Sequence, residues 1–256
     1  MKSLFSNGMI LGVLLVLFLA APQLASAQAG DGAAPLFSIS MDQEPDPGQV
    51  GITLQIFFLM TVLSLAPAML IMLTSFTRIA IVLSLLRQAL GTPQTPPTQV
   101  VLGIALFLTF FIMAPVWTTV NQNALQPYMA EKIDQKSALA AAAEPFKAFM
   151  LKQTREKDLA LMVKVSDTPR PETRDKISIG VLIPAFIISE LKTAFQIGFM
   201  LYVPFIVIDM VVASVLLSMG MMMLPPVMIS LPFKLMLFVL ADGWHLIVRS
   251  LVQSFA

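Results

Sequence analysis

The sequence predicts an all-α, membrane-associated protein, and three observations support that fold class. The chain is 57% hydrophobic and only 12% charged, with a mean hydropathy of +0.83, whereas soluble domains are about 45–50% apolar and about 25% charged. The apolar residues fall in long runs, of the length that helices in or beside a membrane require. Proline-containing stretches separate or interrupt these runs. About four long, Pro-broken apolar helical segments that pair as hairpins are therefore expected.

The first 27 residues are expected to be a cleaved signal peptide. Lys2 supplies a basic start, Met9–Ala21 is an apolar core too short to span a membrane, and Ala25-Ser26-Ala27 is a small-residue cleavage site. An uncleaved anchor is the alternative. Residues 28–50 are polar and contain Gly and Pro, which predicts a flexible lead-in.

Residues 51–120 are expected to form a first apolar helical hairpin. The run from Val50 to Leu90 is longer than the ~20 residues that one span needs, and Pro67 should kink or end its helix. The sequence "GTPQTPP" at Gly91–Pro97 then marks a break before a second apolar segment, Gln99–Val120.

Residues 121–176 hold more than half of the charged residues of the chain, in both signs. This mixture indicates a solvated surface and not a nucleic-acid-binding patch. Helix formers with apolar residues at helical spacing predict two helices, broken near Pro145. Since a signal peptide leaves the mature N-terminus outside the cytoplasm, one inward and one outward crossing would place this region in the periplasm.

Residues 177–256 are expected to form a second apolar hairpin, with Pro184 and Pro204 inside its first half. The stretch "SMGMMMLPP", Ser218–Pro226, joins the two halves. Gly220 and the pair Pro225-Pro226 should bend it into a loop that carries the four methionines Met219, Met221, Met222 and Met223. Methionine is flexible and adapts to irregular or changing surfaces, although such a cluster also fits ordinary membrane composition.

Charged side chains inside apolar segments are costly, and they usually face a partner or a water-filled path. Here they are Arg78, Glu190, Lys192, Asp209, Lys234, Asp242, His245 and Arg249. Glu190 and Lys192 are two residues apart and do not share a helix face, so at least one needs another partner. The spacing of Asp242, His245 and Arg249 predicts that they share one helix face. Such a face either makes polar contacts with another helix or lies at the membrane surface near the C-terminus. Two interpretations stay open: buried pairs that hold helices together, or a proton or ion relay.

Enzyme and transporter functions find little support in the residues. The absence of cysteine excludes thiolate metal sites and Cys nucleophiles, and a single histidine excludes a His pair for zinc. Common nucleotide-binding and hydrolase motifs do not occur. We therefore expect no enzyme, no metal and no cofactor. Pro-broken apolar segments are typical of transporters, but with no detectable internal repeat any pore should require an oligomer.

Four stretches of the sequence are long and specific. The sequence "PAFIISELKTAFQIGF" at Pro184–Phe199 closely resembles the signature of the FliP family of flagellar biosynthesis proteins. The others are Thr74–Val100, Gly103–Val116 and Leu231–Trp244, and the resemblance covers nearly all of residues 52–255.

The resemblance implies a subunit of the type III export gate, in the bacterial inner membrane and on its periplasmic side, at the flagellar basal body. About five copies would form a ring-like or helical oligomer with FliQ-like and FliR-like subunits. FlhB-like and FlhA-like export components would be further partners, unfolded flagellar subunits would pass through, and no nucleic acid would bind. The helical hairpins would lie largely above the usual bilayer plane.

The resemblance also implies roles for individual residues. The four methionines of residues 219–223 would form a gasket that seals the closed pore. Polar pairs between helices or subunits would determine the geometry of assembly, through Arg78, Glu190, Lys192, Asp209, Lys234 and Asp242.

Overall fold

The computed structural model describes residues 47–166, 173–221 and 223–255, and these residues form helices without any strand. The chain divides into two compact units, residues 1–54 and residues 55–256. Residues 47–54 are the described part of the first unit. The predicted signal peptide, and the predicted lead-in as far as residue 46, lie outside the described residues.

Nine α-helices lie in the described part of the chain, together with a π-helical turn at Asn121–Leu125 and a 3-10 turn at Arg174–Lys176. The α-helices are α1 (Pro47–Met72), α2 (Phe76–Ala89), α3 (Thr98–Val120), α4 (Gln126–Met129), α5 (Gln135–Gln153), α6 (Glu156–Val165), α7 (Ile179–Ser218), α8 (Pro226–Leu240) and α9 (Gly243–Gln253).

The short helix α2 lies at the centre of the main core. Its buried residues Ile79, Val82, Leu83 and Leu86 recur at three- and four-residue intervals, which puts them on one stripe of the helix. This stripe packs against α3 and α7. The same core includes buried side chains from the later helices α7, α8 and α9, namely Ala194, Phe205, Phe238, Ile247 and Leu251.

The charged region is anchored to the apolar helix α7 by a second core. Met150 and Leu159, from α5 and α6, are buried against Leu182 and Phe186 of α7. The solvent-facing sides of α5 and α6 carry exposed charged side chains, namely Lys136, Glu144, Lys152, Glu156, Lys157 and Lys164. This division of faces explains why a region so rich in charge still belongs to a compact fold.

Several prolines lie inside helices without breaking them. The expected break near Pro145 is wrong, because α5 continues through it and meets α6 at Thr154–Arg155, where the backbone is extended. Likewise α7 contains Pro184 and Pro204 without interruption, and α1 continues past Pro67 to Met72. A proline removes one main-chain hydrogen bond, and the turns on both sides of it maintain the helix.

Within the described ranges, two helical rods are long and apolar enough to cross a membrane: Thr98–Met129 and Ile179–Ser218. A third would be α8 with α9, which meet at a bend of 65°. At about 1.5 Å per residue, the 40-residue α7 is about 60 Å long, roughly twice the ~30 Å hydrocarbon thickness of a bilayer. Its C-terminal half is apolar and largely exposed in the single chain, so lipid alone cannot cover the whole helix in an upright orientation.

Helices α2 and α7 approach closely at Gly198. A β-carbon at this position would lie 2.2 Å from Cδ1 of Leu85 and 3.2 Å from its Cβ. The absence of a side chain therefore lets the two helices pack at this distance. Gly180, on the same helix, has no atom within 4 Å of the equivalent position.

We expect Gly198→Val to destabilise the protein by about 1–3 kcal/mol, since overpacking forces a tight interface apart. The measurement is the thermal unfolding midpoint of the purified protein in detergent. Gly180→Val is the matched control, because it puts the same side chain on the same helix in open space. Equal midpoints for the two variants would contradict the proposed close approach.

Candidate functional site

The methionine-rich stretch forms a tight tip between α7 and α8. Beyond the last residue of α7, Gly220 adopts a left-handed conformation with φ of +76°. Its N–H donates to the carbonyl of Leu217 at 3.1 Å, and the N–H of Met221 donates to the carbonyl of Leu216 at 3.0 Å. This pair of bonds is a Schellman motif, which glycine adopts without the strain that a β-carbon adds.

Two prolines begin the return helix. Pro226 is the first residue of α8, where a proline loses no hydrogen bond because the first helical N–H groups have no partner. Pro225 precedes it in an extended conformation. Gly220, Pro225 and Pro226 therefore define where α7 ends and where α8 begins.

The three described methionines of the tip are exposed in the single chain. The exposed fraction is 66% for Met219, 40% for Met221 and 98% for Met223. Met222 lies outside the described residues. The tip thus presents flexible apolar side chains that the chain itself does not cover.

Arg78 and Glu190 form a buried ion pair between α2 and α7. Arg78 is 2% exposed and Glu190 is fully buried. The arginine donates through Nε to Oε2 at 2.8 Å and through Nη2 to Oε1. This two-point geometry orients both groups, as is typical of strong arginine–carboxylate pairs.

The same guanidinium binds two further parts of the chain. Nη1 donates to the carbonyl and the hydroxyl of Ser254 at 2.9 and 3.0 Å, and Nη2 donates to the Gln153 side chain at 3.1 Å. The ring of Phe255 lies 3.8 Å from the guanidinium carbon, a cation–π distance. Arg78 therefore links α2, α7, the end of α5 and the segment after α9.

A second ion pair, Asp209 with Lys234, links α7 to α8. Lys234 Nζ donates to Asp209 Oδ2 at 2.6 Å and to the Ala89 carbonyl at the end of α2 at 3.3 Å. A lysine at this place also compensates the unpaired carbonyls of a helix C-terminus. Ser230 donates to the other carboxylate oxygen of Asp209 at 2.5 Å.

The other candidate polar residues are exposed. Lys192, Asp242, His245 and Arg249 have no ion pair among the described residues. Asp242 lies in the turn before α9 with φ of +49°. The three residues Asp242, His245 and Arg249 therefore do not share one helix face as expected. Only His245 and Arg249 do, because Asp242 lies before α9 in a left-handed conformation.

Several residues around the ion pair were not anticipated from the sequence, among them Gln153, Ser254 and Phe255. An arginine has five N–H donors, and one carboxylate satisfies only some of them. A buried Arg78 therefore signals additional acceptors, but nothing in the linear pattern identifies them. Among the residues the structure describes, no group of three His, Cys, Asp or Glu side chains is placed to hold a metal ion.

This fold and site define an all-helical, membrane-associated protein with internal ion pairs and a large uncovered apolar surface. The FliP family model matches residues 59–251. The chain is 58% identical to flagellar biosynthetic protein FliP of Bacillus subtilis over 85% of this chain and 98% of that protein.

Two further relatives have the same name. The chain is 55% identical to the FliP protein of Pectobacterium carotovorum, over 82% of each chain. It is 52% identical to that of Aquifex aeolicus, over 79% of this chain and 86% of that one. The chain belongs to the FliP family, and it is a membrane-associated flagellar biosynthetic protein.

We expect Glu190→Gln to destabilise the subunit by about 3–5 kcal/mol, because it leaves the Arg78 charge buried and unpaired. The double variant Arg78→Met with Glu190→Met should recover much of this loss, since no buried charge remains. Thermal unfolding in detergent and the protein level in membranes measure both effects.

The control is Glu156→Gln, whose pair with Arg174 is exposed to solvent. Such exposed pairs contribute about 0–1 kcal/mol. A loss at Glu190 no larger than the loss at Glu156 would contradict the assigned role of the buried pair.

Proposed function

We propose that the protein is a pore-forming subunit of the flagellar type III export gate, which conducts unfolded flagellar subunits across the inner membrane. The methionine-rich tip, residues 219–223, is the seal of the closed pore. The names of the relatives state a role in flagellar biosynthesis. The finer role rests on physical features of this chain.

The observation that carries the proposal is the exposed methionine tip between the long apolar helix α7 and the shorter apolar helix α8. Met223 is 98% exposed in the single chain, and an uncovered apolar tip is costly in water. Tips from several copies that meet around one axis would remove this apolar surface from water and close the opening between them.

A methionine constriction suits both tasks of an export gate. A ring of apolar side chains loses its water when it is narrow, and this blocks ions. The methionine side chain has three rotatable bonds and forms no strong directional contacts, so it adapts to any chain that passes. The tip needs no chemical reaction for this role. Energy for export would come from other components of the apparatus.

The uncovered apolar surface of α7 favours assembly with other chains. The 40-residue α7 is about 60 Å long, which exceeds what a bilayer covers, and its C-terminal half is largely exposed, so neighbouring subunits are the natural cover for the remainder. We propose about five copies around the axis, together with FliQ-like and FliR-like subunits. FlhB-like and FlhA-like components would contact this assembly, which would lie on the periplasmic side of the inner membrane at the basal body.

We expect replacement of residues 221–223 by alanine to make the idle gate leak, because the shorter side chains leave an opening that stays wet. The measurement is uptake of a small, normally impermeant solute by cells that express the complete complex, beside motility and the amount of secreted flagellin. Export should continue while the barrier to solutes is lost.

The control replaces three exposed methionines elsewhere, Met129, Met200 and Met210, by alanine. These changes remove the same atoms without touching the tip, and the barrier should remain intact. A tight barrier in the tip variant, with the complex assembled, would exclude the gasket role.

A further inference from the structure

An open groove lies on one face of α7. It has a volume of about 750 Å³, and its apolar walls come from Ile188, Leu191, Phe195 and Phe199. Phe195 and Phe199 are 57% and 65% exposed in the single chain. The groove is therefore an uncovered apolar surface on a helix that neighbouring molecules must cover.

Lys192 lines this groove and has no carboxylate partner among the described residues. The neighbouring Gln196 already accepts from Arg155. An ammonium group that loses water without gaining a partner is costly. An occupant that covers the groove is therefore favoured when it supplies an acceptor beside Lys192, and an anionic group is the strongest such acceptor.

The described apolar helices and their turns contain three carboxylates, and two of them are already paired. Glu190 binds Arg78, and Asp209 binds Lys234. Asp242 is exposed and has no ion pair among the described residues. The two unpaired features, an apolar groove with one cation and an apolar segment with one anion, complement each other.

Asp242 lies on the projecting elbow between α8 and α9, where the two helices bend by 65°. Its neighbours Val239, Leu240 and Trp244 are 74%, 79% and 42% exposed. Gly243 at the elbow has no room for a side chain, since a β-carbon would lie 2.3 Å from the Phe238 ring. The ring therefore packs closely against the backbone beside Asp242, and this contact favours a well-defined shape for the elbow.

We propose that the elbow of one copy docks into the α7 groove of the next copy, where the Asp242 carboxylate accepts from the Lys192 ammonium. This inference rests on the proposed function, because it names the contact by which the copies of the gate associate. Groove and elbow are different surfaces, so the contact is heterologous. Repeated contacts of this kind produce a closed ring or a helical stack.

Cross-linking tests the contact directly, because the chain contains no cysteine. One tagged copy carries Lys192→Cys and a second, differently tagged copy carries Asp242→Cys, expressed together with the other gate components. Because a lysine–aspartate ion pair can hold the two Cα atoms farther apart than the about 7 Å that a disulfide allows, a short thiol-reactive bismaleimide spacer joins the two cysteines. We expect a dimer that contains both tags, several-fold more abundant than with Lys192→Cys and Arg249→Cys. Arg249 is the matched control, because it is exposed as Asp242 is. It lies on α9, on the same helix face as His245.

Charge reversal provides the second measurement, because the cysteine variants remove both charges. Lys192→Asp alone and Asp242→Lys alone should each lower the yield of assembled complex on native gels several-fold. The double variant should restore the yield, since the pair is re-formed in the opposite sense. Thermal unfolding of each single variant distinguishes a lost contact from a misfolded subunit.

The outcomes separate this contact from other occupants of the groove. Absence of the specific dimer, together with no recovery in the double variant, overturns the proposal. If Lys192→Asp leaves the complex intact but releases co-purified anionic lipid, the groove binds a lipid headgroup and the proposal is wrong. Either result leaves the export role standing if secretion persists, whereas normal secretion of flagellar subunits by cells that lack this chain would contradict the proposed function instead.

Discussion

The fold depends on the burial of one arginine. Arg78 and Glu190 are almost fully removed from water, and the free energy lost by dehydrating two charges offsets much of their attraction. The pair therefore contributes less to net stability than to geometry. Because the guanidinium also binds Ser254 and Gln153, an alternative packing of these segments would leave a charge or several donors unsatisfied. This penalty restricts how α2, α5, α7 and the end of the chain can pack.

The second ion pair also restrains α2 against α7, at the other end of α2. Lys234 reaches the carbonyl at the end of α2 while it binds Asp209 on α7, whereas Arg78 lies in the first turn of α2. Two polar attachments at opposite ends of one short helix prevent it from sliding or rotating against α7. The methionine tip thus extends from a hairpin whose base is firmly positioned, so that mobility of the methionine side chains need not disturb the subunit.

Much of the architecture was predictable from composition and pattern. The apolar runs indicated long helices, and Gly220 with Pro225 and Pro226 indicated the turn between α7 and α8, because these residue types have strong local conformational preferences. The effect of Pro145 was not predictable in the same way, because a proline inside a helix removes one bond and tertiary packing decides whether the helix continues. The spacing of Asp242, His245 and Arg249 was misleading for a related reason. It predicts one continuous helix face, and a spacing alone does not reveal that the backbone adopts a left-handed turn at Asp242.

The partners of the buried charges illustrate a second limit. The sequence showed that Glu190 and Lys192 could not neutralise each other within a helix, but Arg78 is 112 residues away from Glu190. Pairing across that separation depends on how α2 and α7 pack, which local patterns do not encode. Gln153 and Phe255 are ordinary residues by any sequence criterion, and only their positions around the guanidinium give them a role.

At the tip, different residues determine the backbone conformation and the exposed side-chain surface. A glycine and two prolines determine the path of the backbone between α7 and α8, while the side chain of Met223 is almost entirely free of contacts within the chain. Position 223 is thus a suitable attachment point for a fluorescent or spin label. Such a probe would report the polarity and width of its surroundings without altering the turn that holds it.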